Sequence, residues 1–259
     1  MKQVVIGKAK LHKTQNIKHI LAFLIIFAFG NFRSFSEITF FTKNFSNTIT
    51  GALTLTPATS FYPYVSENEK LIPQARLSYE WKTPELKTFA GLQFSKLTID
   101  FASKASYAPR FGKYVSLGAQ LIYHFLYYDA EFTEHDILAG TFFNFERGIF
   151  SCALDVNYLF KKTKIFALKN FPLVNHNLAL STSFHWLIKE RAHLWFGLAS
   201  YELFNVPLFF SPFFQTGFDW KFTNGFTTGL KLSLQWRDFG TILAYFDHAD
   251  IELYASFTF

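Results

Sequence analysis

The chain has 259 residues, a fifth of them aromatic and 36 of them Phe, with 25 Lys plus Arg against 19 Asp plus Glu. Six of the bases (Lys2, Lys8, Lys10, Lys13, Lys18 and Arg33) and none of the acids lie in the first 36 residues, so 19 bases face 19 acids from Glu37 onward. The excess positive charge is thus confined to one terminal segment, which excludes a basic nucleic-acid surface, and the single Cys152 excludes an intramolecular disulfide framework.

The N-terminal segment reads as a cleaved signal peptide. Its lysines precede an apolar run from Ile20 to Phe29, too short for the ~20 residues of a membrane-spanning helix, and Ser34-Phe35-Ser36 offers small residues for cleavage before Glu37. The expected organisation is therefore residues 1–36 as signal peptide and 37–259 as one domain, since no Gly/Ser- or Pro-rich linker divides the remainder. A buried N-terminal helix or an uncleaved anchor is the competing reading. No Cys follows the apolar run, which disfavours a lipid anchor, and no later apolar run is long enough for a membrane helix.

The chain then reads as a series of alternating strands. A first strand is expected over Thr48–Thr56 and a second over Gln74–Trp81, with Thr56–Lys70 a polar loop between them. Lys87–Phe101 reads as one strand whose apolar phase slips near Ser95-Lys96. A β-bulge is the preferred explanation, because no Gly, Pro or Asn marks a turn there. Ala102–Gly112 reads as loop, Tyr114–Tyr128 as a long strand and the acidic Asp129–Asp136 as a connection. Two hairpins follow, Ile137–Phe145 with Ile149–Phe160 and Asn177–Leu187 with Leu194–Tyr201, and the stretch to Phe214 is interrupted by Pro207 and Pro212. Asn224-Gly225 joins Thr216–Phe222 to Phe226–Trp236 as a strong hairpin signal. Strands Phe239–Phe246 and Ile251–Phe259 are then expected on either side of a turn at Asp247–Asp250.

The closing stretch alternates strictly: Ile251, Leu253, Ala255, Phe257 and Phe259 share one face, and Glu252, Tyr254, Ser256 and Thr258 the other. This end resembles the C-terminal β-signal of bacterial outer-membrane β-barrel proteins. The resemblance implies a closing strand recognised by the barrel-assembly machinery, an outer-membrane location and contact with outer-membrane lipid.

Nearly every strand has an apolar face, which suits a membrane barrel facing lipid or a secreted β-sandwich facing its own core; periodicity does not distinguish outside from inside. Aromatic excess, signal peptide and terminal Phe together favour an all-β transmembrane antiparallel up-and-down barrel of about twelve strands, with ten as the alternative. In that register Arg237-Asp238 would be a periplasmic turn. Lys161–Val174 would be a long periplasmic loop and Glu146–Gly148 a short external one, the reverse of the usual asymmetry.

No chemistry-bearing motif stands out, and no cofactor or metal is expected. The strand-borne His-x-Ser pair of outer-membrane lipases and deacylases is missing at His124, His176, His185 and His193, and Cys152 reads as a small apolar strand residue. The acids of Asp129–Asp136, with Asp247 and Asp250, read as solvated loop charges. Glu80, Asp155, Asn157, Asp219, Lys221, Lys231, Gln235 and Glu252 are candidates to line a lumen, either bordering water or salt-bridging across a narrow barrel. The expected function is a small channel or uptake pore, without enzymatic activity. The alternatives are a structural or adhesive barrel and a soluble sandwich that acts as a binding module. Neither the solute nor the oligomeric state is legible.

Overall fold

A computed structural model describes residues 45–57, 71–129, 131–167, 172–188, 191–201, 203–204, 213–222, 225–236 and 246–259. The expected signal peptide and its cleavage site lie outside the described residues. The strands in chain order are β1 (Ser46–Pro57), β2 (Leu71–Lys82), β3 (Leu86–Ser95), β4 (Thr98–Tyr107), the two-residue β5 (Arg110–Phe111), β6 (Val115–Tyr128) and β7 (Phe132–Arg147). They continue with β8 (Phe150–Ile165), β9 (Leu173–Ile188), β10 (Ala192–Ala199), β11 (Phe213–Lys221), β12 (Phe226–Trp236) and β13 (Phe246–Thr258).

Each strand pairs antiparallel with its chain neighbours, β4 pairs directly with β6, and β13 returns to pair with β1, so twelve strands form a closed ring. The seam register sets Leu53 against Leu253 and Thr48 against Thr258. The pairing reaches the last residue: Phe259 and Asn47 exchange backbone hydrogen bonds of 2.9 and 3.0 Å. Closure leaves no unpaired edge for lipid to meet, the condition on any sheet that spans a bilayer.

Burial resolves what periodicity left open. Leu53, Leu77, Leu121, Leu178, Leu230 and Leu253 are exposed, while Thr54, Gln74, Gln120, Asn157, Ser233 and Glu252 are buried. The apolar faces therefore point outward all round the ring and the polar faces inward. A sandwich reverses this, so the sandwich reading is excluded and the exterior is an apolar belt of the kind a membrane barrel presents.

The start of β1 and the end of β13 lie at one end of the ring, the terminus end, with the short connections 83–85, 148–149 and 222–225; 58–70, 166–172, 200–212 and 237–245 join strands at the opposite, far end. Gly225 takes φ +74° in one of the short turns, a conformation that the Asn-Gly signal anticipates. The expected reversal of loop asymmetry disappears: 148–149 belongs to the terminus end and the longer 166–172 link to the far end.

That reversal arose from misread segments. Lys87–Phe101 is not one bulged strand but the hairpin β3–β4, turning at Lys96-Leu97. Ser95 does the work of a turn residue there, its Oγ accepting from the backbone N–H of Leu97 at 3.1 Å and of Thr98 at 3.0 Å. The loop expected over Ala102–Gly112 is largely β4, whose alternation is weak because the inward residues Ala102 and Ser106 are small. The Asp129–Asp136 connection shortens to 129–131, because Glu134 and Asp136 are inward strand residues with partners rather than solvated charges. Asp247–Asp250 is strand, not turn, and β12 pairs directly with β13, so no strand over Phe239–Phe246 lies between them. Residues 237–245, including the expected Arg237-Asp238 turn, fall outside the described residues in a far-end link. One missed hairpin and one surplus strand cancel, and the count stays at twelve.

Candidate solute path through the barrel

The inward face changes character along the barrel axis. Toward the far end its residues are covered: Thr56, Asp136, Leu159 and Ala102 are 0% exposed, and Ile72, Asp100, His124, Leu126 and Phe213 are 1% exposed. Toward the terminus end the same faces open. Along β9, Ala179 is buried but Ser181, Ser183 and His185 are partly exposed; along β13, Asp250 and Glu252 are buried but Tyr254 and Ser256 are not. A recess of about 210 Å³ lies at the terminus end, bordered among others by Lys87, Ser106, Arg110, Lys113, Asn144 and Glu146. The interior is thus a polar vestibule beneath a filled layer.

Part of that filling comes from the connection between β10 and β11, whose first residues turn into the ring. The Tyr201 hydroxyl donates to Asp136 Oδ2 at 2.8 Å and lies 2.9 Å from His124 Nδ1. Leu203 and the Tyr201 ring pack on the apolar cluster Ile122, Leu138, Leu159 and Ala179. Phe204 reaches the opposite wall: its carbonyl accepts from the Gln93 side-chain amide at 2.8 Å, and its ring lies 5.2 Å from the Arg76 guanidinium and 6.1 Å from the Phe89 ring. β3 is six strands from β10 in either direction round the ring, so the segment crosses the full lumen. Gly91 permits the seat, since a Cβ there would lie 2.6 Å from Phe204 Cζ. Phe204 has φ +63°, alone among the described non-glycine residues in that region, a strained backbone held by its surroundings.

Charges in the filled layer are heavily paired. Arg76 and Glu252 form a 2.5 Å ion pair across the β1–β13 seam, and Thr54 donates to the same carboxylate at 3.3 Å. Thr56 donates to Asp250, and a chain of amides runs from Thr56 through Gln74 to Gln93. Lys161 is 2.7 Å from Glu134. His124 lies between two carboxylates, with Nε2 2.6 Å from Asp100 Oδ1 and Nδ1 3.2 Å from Asp136 Oδ2.

The vestibule is looser. Lys87 pairs with Glu80 at 2.8 Å, and Ser181 donates to Asp155 at 2.8 Å. Lys104 faces the same space, in the fields of Asp155, Lys87 and Glu80. A row of hydrogen bonds runs along β9–β11: Ser183 Oγ to His185 Nε2 at 2.9 Å, His185 Nδ1 to His193 Nε2 at 3.0 Å, and His193 Nδ1 to Asp219 Oδ2 at 2.7 Å. Tyr254 closes it by donating to Asp219. Ser183-Phe184-His185 reverses the order of the His-x-Ser pair sought in the sequence, so a directional motif passes over it.

The inward face carries the sequence-predicted residues Glu80, Asp155, Asp219, Lys231 and the buried Asn157, Gln235 and Glu252, while Lys221 is exposed at the end of β11. Ile251, Leu253, Phe257 and Phe259 are exposed on the outer face, with Ala255 half-buried between them. Sequence reasoning missed Tyr201, Leu203, Phe204, Gln93 and the Asp100–His124–Asp136 group. The available signal was composition: a far-end connection reading Leu203-Phe204-Asn205-Val206-Pro207-Leu208-Phe209-Phe210 is unsuited to water. Among the described residues no cluster of His, Cys, Asp and Glu has the arrangement of a metal site.

No protein-family model matches the chain, and no curated protein matches it in sequence. Solved structures do match in fold. The NanC porin aligns over 81% of this chain and 98% of its own, with a TM-score of 0.60 at 9% identity. The KdgM porin in complex with disordered oligogalacturonate aligns over 82% and 99%, with a TM-score of 0.56 at 8% identity. The COG4313 outer-membrane channel from Pseudomonas putida F1 aligns over 83% and 96%, with a TM-score of 0.53 at 10% identity. At these identities the similarity shows the fold.

Proposed function

We propose that the chain is an outer-membrane pore for small solutes, narrowed by the segment that crosses its lumen. The observation that carries this reading is the pairing of an apolar exterior with a polar interior that opens into a vestibule at one end. Such an interior serves neither lipid contact nor dry packing and suits a water-borne path. The porin and channel folds among its structural neighbours support the same reading. The N-terminal segment would direct export and leave with cleavage before Glu37. The outward row Ile251, Leu253, Ala255, Phe257 and Phe259 would serve as the signal read by the barrel-assembly machinery before it becomes the lipid-facing side of the seam.

Short turns at the end where β1 begins and β13 finishes support a vestibule on the periplasmic side, with the crossing segment toward the cell exterior. Passage requires a way beside Tyr201–Phe204 or displacement of that segment. The proposed function includes no catalysis. Ser183 faces His185, but β8 and β10 flank it on both sides, pairing it with Ala153 and Gly197, so the local backbone N–H groups serve the sheet and not an oxyanion.

A structural barrel without transport is the second reading, favoured by the completely covered far-end layer. Conductance decides between them: purified barrel in a planar lipid bilayer should show discrete current steps, and Phe204→Ala should enlarge them. A barrel that inserts but passes no current in either form is structural.

A further inference from the structure

We infer that the lumen selects small cations, a conclusion that rests on the pore reading and names its solute class. The outer surface and the rims conceal this in the overall composition, because the chain after Glu37 is balanced in charge. Inside the ring it is not. Of the inward side chains that are not exposed, eight are carboxylates, on β2, β4, β7, β8, β11 and β13: the acids of the pairs and networks above, from Glu80 and Asp100 to Asp250 and Glu252. Five are Lys or Arg: Arg76, Lys87, Lys104, Lys161 and Lys231. At the rim the exposed Lys82, Arg110, Lys113 and Lys221 face Glu85 and Glu146, so the negative excess belongs to the interior and not to the mouth. Three histidines, His124, His185 and His193, also border the interior, each within hydrogen-bonding distance of another interior side chain.

An independent observation points the same way. The buried side-chain atoms that lack a hydrogen-bond partner among the described residues are Asp100 Oδ2, Asp136 Oδ1 and Gln120 Oε1. All three are acceptors and none is a donor. An interior short of donors is completed by species that bring them, namely ammonium groups, or metal ions with their donating hydration water. Low-dielectric walls focus the field of the excess carboxylates along the axis, raising the local cation concentration and opposing anions. Arg76 is engaged with Glu252, Lys87 with Glu80 and Lys161 with Glu134, which limits their availability to an anion. In the vestibule, a cation entering from the terminus end meets the partly exposed carboxylates Asp155 and Asp219, besides Glu80, which Lys87 already pairs.

The test is the reversal potential of single barrels in a planar bilayer under a KCl gradient, followed by replacement of KCl with tetramethylammonium chloride. A permeability ratio of potassium to chloride above one is expected, with current persisting in the organic cation. Asp155→Asn/Asp219→Asn, which keeps side-chain shape and one acceptor oxygen on each while removing the charge, should lower the ratio. Lys104→Gln should raise it. Phe204→Ala should keep the sign of the preference while raising the current. A wild-type barrel that conducts but prefers chloride, or a ratio unmoved by the double Asn variant, overturns the inference and leaves the pore standing. A barrel silent both as wild type and as Phe204→Ala overturns the pore reading and the inference with it.

Discussion

Leu253 offers a direct measurement of what lies outside the barrel. It sits mid-strand in β13, facing Leu53 of β1 and Leu230 of β12, and the three side chains are 56%, 46% and 45% exposed. If lipid covers that surface, Leu253→Ala opens no cavity, because acyl chains close over the smaller side chain, and its cost falls well below the ~2–5 kcal/mol of a core Leu→Ala. Leu253→Arg puts a charge in hydrocarbon and should cost about 2–4 kcal/mol if the site lies near the midplane. The two substitutions should therefore differ strongly in lipid, with Arg much the worse. The assay is urea titration of barrels refolded into vesicles, with heat-modifiable gel migration to report folding. A sandwich core would make Ala and Arg both severe, and a water-facing surface would make both mild. Either pattern would refute a lipid belt at this strand.

Other consequences are equally measurable. Mature protein taken from membranes should begin at or near Glu37, and recovery of intact Met1 by mass spectrometry would contradict processing there. Deleting Phe259 should reduce outer-membrane insertion more than it lowers the urea midpoint of barrels refolded in detergent, because only the former depends on recognition by the assembly machinery. Arg76→Ala leaves Glu252 without its ion pair at the seam and should lower the urea midpoint, by less than the ~3–5 kcal/mol of a fully buried broken pair because the Arg76 side chain is 16% exposed. A serine-directed fluorophosphonate should not label Ser183, and Cys152→Ser should leave conductance unchanged; stoichiometric labelling would reopen the question of catalysis.

How far the fold was legible follows from what periodicity encodes. Where a strand's outward face is uniformly apolar, as in β13 or β12, alternation alone assigns each residue to lipid or lumen. Where the inward face holds small or acidic residues, the same pattern blurs. Ala102 and Ser106 made β4 resemble a loop, and Glu134 and Asp136 made the start of β7 resemble a solvated connection. At Lys96-Leu97 the turn lacks Gly, Pro and Asn because Ser95 supplies an acceptor for two backbone N–H groups, so the phase slip was visible but its cause was not. Asp247–Asp250 misled in the opposite sense: polar residues that suggest a turn belong to the strand closing the ring.

The interior was less legible because its contacts are distant in sequence. Gln93 and the Phe204 carbonyl are 111 residues apart, and Tyr201 and His124 are 77 apart. The first pair meets because a twelve-strand ring sets β3 opposite β10, the second because the chain leaving β10 turns inward toward β6. One inference was nonetheless available without coordinates. Once 200–212 is recognised as a far-end connection, its apolar composition requires a surface to cover it. Leu203 and Phe204, at its start, find that cover in the lumen, whose far-end wall is apolar at Ile122, Leu138 and Leu159 where the vestibule wall is polar. The same complementarity explains the filled layer above an open vestibule: apolar wall and apolar connection exclude water together, whereas the carboxylates nearer the terminus end have no such partner and stay accessible to what the pore admits.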